Sequence, residues 1–207
     1  MFQLISPNML KTYELCPKKF YLKYVKNITM PVNDDIFEYG KNIHALASYY
    51  LRKENIYKLE QSLSQNERVT WEYLKNIEYF SYEYLNSEYN LSVKLGETFF
   101  GGRLDALVKK DNCYYILDYK TGFIPKNAKY DFQTIIYLLA VSSFFRTNNV
   151  VFVYLDLKNK SEVKVELTEE LINDYKKRLI DTVDKIKSEI FTKKTDNCNC
   201  EYNMICY

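Results

Sequence analysis

The stretch on which this chain's reading turns is Gly101-Gly102-Arg103-Leu104-Asp105, followed after eight intervening residues by Tyr114-Tyr115-Ile116-Leu117-Asp118-Tyr119-Lys120-Thr121. Side chains alternate along a strand, so Asp118 and Lys120 point to one face. Asp105, from a neighbouring strand, is placed to join them. An acid in a mostly apolar strand must be solvated, paired or bound to a ligand. One reading is a plain salt bridge in which Lys120 neutralises a buried acid. The other is chemical. Two carboxylates that hold Mg²⁺ or Mn²⁺, with a lysine that orients the attacking water, are what a metal-dependent phosphodiesterase needs.

The 207 residues suit one domain, or one domain with a small appendage, and 47% of them are apolar. A net charge of +2 does not by itself argue for nucleic acid. Its distribution says more. Lys11, Lys18, Lys19, Lys23 and Lys26 oppose only Glu14 in the first thirty residues, interleaved with Phe20, Tyr21 and Tyr24. Lys18, Lys19, Tyr21 and Lys23 therefore read as DNA contacts that pair with phosphates and stack on bases. The plainer alternative is an amphipathic helix with a solvated basic face. No secretory leader or membrane-length apolar run is evident, so a cytoplasmic protein is expected, without membrane association and without disulfides.

Ser6-Pro7 opens a helix expected to reach about residue 25, with a break at Cys16-Pro17. Residues 27–34 read as a loop, 35–53 as a second helix and 65–86 as a third. Short strands follow at 91–99, 102–108 and 113–119, punctuated by Gly101-Gly102 and Lys110-Asp111-Asn112. A loop over 121–130 leads to an apolar helix at 131–145. Strands at 150–157 and 162–167 and a helix from 168 to 190 complete the pattern. The expected class is an α/β fold with a mixed central sheet: one domain over 1–207, with a mainly helical part at 1–90, a core at 91–167, and a terminal helix and cysteine-bearing tail at 168–207.

Three further residues extend the constellation. His44 is the only histidine and lies mid-helix, where a neutral imidazole offers a metal ligand. A lone histidine on a helix is equally a structural residue. Gln133 and Tyr137 share a helix face four residues apart. Together, His44, Asp105, Asp118-x-Lys120 and Gln133-x-x-x-Tyr137 resemble the PD-(D/E)xK (restriction endonuclease-like) nuclease superfamily, and its RecB-type branch in particular. The resemblance implies that His44, Asp105, Asp118 and the backbone carbonyl of Tyr119 bind the cation. It further implies that Lys120 acts on the water, with Gln133 and Tyr137 supporting the site.

Cys16 precedes Pro17, and the tail carries Cys198, Cys200 and Cys206. One early and three late cysteines resemble the 4Fe–4S staple of AddB-type nucleases and of the CRISPR-associated adaptation nucleases. Those relatives usually place two residues between the first two late cysteines, whereas one stands here. Four thiolates also suit zinc, and reduced thiols that bind nothing are a third reading. Cys113 reads as a small core residue. The resemblance implies a DNA exonuclease acting on single strands or duplex ends, either trimming spacer DNA beside CRISPR integrase proteins or serving phage or repair metabolism. The alternative is a DNA-binding module of the same fold without catalysis. Oligomeric state, digestion polarity and the choice of Mg²⁺ or Mn²⁺ are not legible.

Overall fold

The computed structural model describes residues 2–31, 35–194 and 200–206. Ser6 caps the first helix, accepting from the Met9 amide, and Pro7 sits in its first turn. This helix, α1 (Pro7–Leu15), breaks at Cys16, which is extended because a proline follows it. α2 (Pro17–Phe20) then widens into a π turn, Tyr21–Val25. α3 (Asp35–Leu51), α4 (Tyr57–Ser62) and α5 (Gln65–Leu74) complete the helical part, α5 opening on a capping box between Ser64 and Glu67.

Two expectations are corrected here. The third helix stops at Leu74 rather than running to 86, because the chain turns through Glu78–Ser81 and becomes a strand. The hairpin turn sits at Gly96-Glu97, where Gly96 has a φ of +58°, and not at Gly101-Gly102. Both of those glycines lie inside a strand. β2 (Glu83–Leu95) and β3 (Thr98–Lys110) are each thirteen residues long, and β4 (Cys113–Lys120) follows. The two glycines answer a packing demand: a Cβ on Gly101 would lie 2.3 Å from the Leu91 carbonyl oxygen.

β1 (Leu4–Ile5), β5 (Val150–Asp156) and β6 (Ser161–Glu166) complete a mixed six-stranded sheet in which β3 is the pivot. One edge of β3 pairs antiparallel with β2. The other is divided: β1 pairs in parallel at Phe99 and Phe100, and β4 pairs antiparallel from Ala106 to Lys110. Among the described residues, 101–105 has no strand partner on that edge, and the fork opens there. α6 (Phe132–Phe145) joins β4 to β5, which run parallel, and is apolar nearly all round. It fills the space between one sheet face and α1 and α7 (Glu169–Lys187). α3 and α5 cover the opposite face through Ile43, Leu46, Trp71 and Leu74.

Gly101→Ala should cost about 3 kcal/mol, because the new methyl meets backbone rather than a yielding side chain. Urea unfolding of the variant beside wild type measures it.

Candidate active site

Asp118 and Lys120 end β4 on the face covered by α6. Asp118 is 3% exposed, and Lys120 Nζ lies 2.8 Å from its Oδ2. Gln133 stands over both. Its Nε2 donates to Asp118 Oδ1, and its Oε1 accepts from Lys120 Nζ at 3.2 Å. A carboxamide suits this place because its two ends have opposite polarity, one for each partner. The helix start puts it there. Asp131 caps α6, accepting from the Gln133 amide at 2.8 Å, and Lys11 of α1 pairs with the same Asp131 oxygen at 2.8 Å. Burial, reinforced by the charge of Asp105, outweighs Lys120 and His44 and pushes the Asp118 carboxyl up to about 6. Its Oδ2 is buried and accepts no hydrogen bond, the ammonium lying close but poorly directed.

The second half of the site hangs on the Tyr119 peptide. Its N–H donates to Asp105 Oδ2 at 2.8 Å, and its carbonyl lies 3.0 Å from His44 Nε2. A carbonyl only accepts, so Nε2 carries a proton. His44 Nδ1 then faces Asp105 Oδ1 at 3.3 Å. Two lone pairs do not face each other unless a proton or a cation lies between them. Burial opposes the imidazolium, but the hydrogen bond and charge of Asp105, the Tyr119 carbonyl and Asp118 together raise the His44 pKa above its ordinary value. The same donor set, one imidazole with oxyanions around it, fits a divalent cation. One carboxylate absent from the sequence reading joins it. Ligand atoms of His44, Glu88 and Asp105 all lie within 4.8 Å of one another.

Tyr137 does not touch the carboxylates. Its hydroxyl donates to the Arg103 carbonyl at 2.9 Å, satisfying a backbone group on the open edge of β3. Gly102 makes room for it: a Cβ there would lie 2.8 Å from that hydroxyl. Tyr137 thus positions the strand that carries Asp105.

A groove of about 770 Å³ opens over His44 and Asp105, lined also by Lys41, Tyr49, Arg52, Glu88 and Arg103. Lys18, Lys19, Tyr21 and Lys23 do not line it. Lys19 pairs with Glu201 at 2.8 Å, Tyr21 stacks on Phe191, Lys18 lies over the Tyr21 ring, and Lys23 over Tyr24. Sequence reading missed Glu88 because it ended a helix only two residues before it. A strand assignment for 83–95 would have exposed an acid flanked by alternating residues.

The cysteine tail returns to α1 and α2. Besides Lys19–Glu201, Lys194 Nζ donates to the Glu14 carbonyl at 2.8 Å, and the Tyr202 hydroxyl donates to the Ile28 carbonyl at 2.8 Å. The residue three beyond Cys16 therefore holds the residue one beyond Cys200. Cys16, Cys113, Cys200 and Cys206 form no disulfide. Cys198 lies outside the described residues. Cys113 packs at the margin of the α3-side core.

Against known proteins, the sequence model of the PD-(D/E)XK nuclease superfamily matches residues 4–207. The CRISPR-associated exonuclease Cas4 of Francisella tularensis subsp. novicida (strain U112) is 28% identical over 123 residues, 57% of this chain. The match spans 61% of that relative's length. A crystal structure from Eubacterium rectale, described as a candidate exonuclease, superposes with a TM-score of 0.61 over 96% of this chain and 86% of its own. At 8% identity it shows a shared fold.

The raised carboxyl of Asp118 has a definite sign. The folded pKa of about 6 exceeds the unfolded value of about 3.9, so the fold binds the proton more tightly. Stability of the metal-free protein should fall as pH rises from about 4 through about 6 and stay reduced above. Thermal unfolding in chelator at acid and neutral pH reads this directly.

Proposed function

Because the chain belongs to the PD-(D/E)XK nuclease superfamily, we propose that it hydrolyses DNA phosphodiester bonds as a divalent-metal-dependent exonuclease. The observation that carries this reading is the buried Asp118, bracketed by Lys120 and Gln133 beside the His44–Asp105 pair. Nucleases of this superfamily use divalent metals, and the donor set fits one. His44, Asp105 and Asp118 would hold it. A cation bound there lowers the pKa of its water and offsets phosphate charge.

The chain's own residues do the rest. Lys120 places an ammonium where the phosphate oxygens gain charge, and fixes the attacking water by donating to it. Gln133 restrains that ammonium from one side and the Asp118 carboxylate from the other, so neither must reorganise during reaction. Substrate enters along the α3 groove. There Lys41, Arg52 and Arg103 meet phosphates, and Tyr49, with Arg52 stacked 4.7 Å from its ring, offers a base-stacking surface. The name of the Francisella relative supports an exonuclease. By the same likeness we assign this chain to trimming single strands or duplex ends of spacer DNA, with integrase proteins as partners. Cys16, Cys198, Cys200 and Cys206 would hold a 4Fe–4S cluster that ties the tail to α2. The Lys19–Glu201 pair supports this by bringing the two segments together.

On end-labelled single- and double-stranded DNA with Mn²⁺ or Mg²⁺, wild type should give progressive shortening. Lys120→Ala should lose about a hundredfold or more in rate, and Gln133→Ala about tenfold, with DNA binding by fluorescence anisotropy retained. Full activity in Lys120→Ala would remove the assignment.

Protein purified without oxygen should contain iron and sulfide and absorb in the visible, and Cys16→Ala should lose both. Stoichiometric zinc in their place would replace the cluster with a structural zinc site.

A further inference from the structure

Among the described residues, the acid whose ligand atoms group with those of His44 and Asp105 is Glu88. Both Asp118 oxygens are engaged, one by Gln133 of α6 and the other by Lys120 of its own strand, whereas Glu88 shares the 4.8 Å donor group with His44 and Asp105. Glu88 lies opposite Asp105 in the β2–β3 pair, flanked by the partners Ser87↔Ala106 and Tyr89↔Leu104. Its backbone is left-handed, with a φ of +51°, a costly conformation for a non-glycine residue inside a strand. Its carboxylate borders the groove and is held by Arg103, whose Nε lies 2.9 Å away. That guanidinium is 65% exposed, so the pair is weak. The Arg103 backbone, by contrast, is fixed by Tyr137.

We propose that Glu88 is a further ligand of the site's cation, alongside His44 and Asp105, and that Arg103 is a phosphate-binding residue masked by Glu88 until the cation is bound. The proposal rests on the nuclease reading above. In the metal-free protein Arg103 neutralises Glu88, so the groove does not carry an uncompensated third acid. When Glu88 turns to the cation, Arg103 is released from a fixed backbone at the mouth of the groove. A planar guanidinium is suited to a phosphodiester there. Glu88 and Arg103 thus exchange partners together, which links metal loading to substrate capture.

The test is Mn²⁺ titration by calorimetry, without DNA, on wild type, Glu88→Gln, Arg103→Ala and Asp105→Asn, each checked by thermal unfolding. Glu88→Gln should bind Mn²⁺ about tenfold more weakly. Arg103→Ala, freed of the competing cation, should bind it about threefold more tightly. Arg103→Ala should also lose the increase in DNA affinity that non-cleaving Ca²⁺ produces in wild type. Wild-type Mn²⁺ affinity in Glu88→Gln, with Asp105→Asn impaired, would overturn the proposal and leave the nuclease reading standing. No Mn²⁺ binding by wild type would defeat both. Should Glu88→Gln not fold, unchanged Mn²⁺ affinity in Arg103→Ala is the overturning result.

Discussion

A carboxylate buried at the end of a central strand is the constraint around which this structure is arranged. Asp118 is almost inaccessible, and desolvation disfavours its charge. The charge is tolerable only because Lys120 and Gln133 are held against it. Holding Gln133 requires α6 to begin at one residue, and the Asp131 cap, tied to Lys11, sets that start. Removing one partner from such a set exposes the desolvation cost of those left behind.

The sheet supplies the second element. β3 serves two neighbours on one edge, β1 near its start and β4 near its end. The interval between them leaves backbone groups without strand partners. Tyr137 satisfies the Arg103 carbonyl, and the Asp105 side chain reaches the Tyr119 amide. A local break in strand pairing thereby becomes the floor of the groove. Gly101 and Gly102 follow from this geometry, one admitting the β2 backbone and the other the Tyr137 hydroxyl.

The two chain ends meet on the α1–α2 side, packed on the same core as α6. Lys19, Glu14 and Ile28 each meet a residue of the returning chain. The basic and aromatic side chains of the first thirty residues are largely engaged with one another and with Phe191. Their composition is that of a nucleic-acid surface, yet composition reports which residues are present and not where they point. Positive side chains line the groove over His44 and Asp105 instead from Lys41 of α3, Arg52 just beyond that helix and Arg103 of β3.

The sequence by itself determined the sheet-forming core and the residue types gathered at its centre. Apolar runs ending in Asp118-x-Lys120, an apolar helix carrying Gln133 and Tyr137, and a capped terminal helix are local patterns, each written within a few adjacent residues. Their period and punctuation were enough to place β4, α6, β5, β6 and α7. The tertiary structure alone decided what depends on residues far apart in the chain. An aromatic-rich stretch after Leu74 became strand rather than helix because β3 offered it a long edge to pair with. Glu88 became a neighbour of His44 and Asp105 through that pairing, forty-four residues from one and seventeen from the other. Tyr137 holds strand backbone, because the fork in β3 puts the Arg103 carbonyl within its reach. Local periodicity fixes which face a side chain takes, while strand register and helix docking fix which partner it finds there.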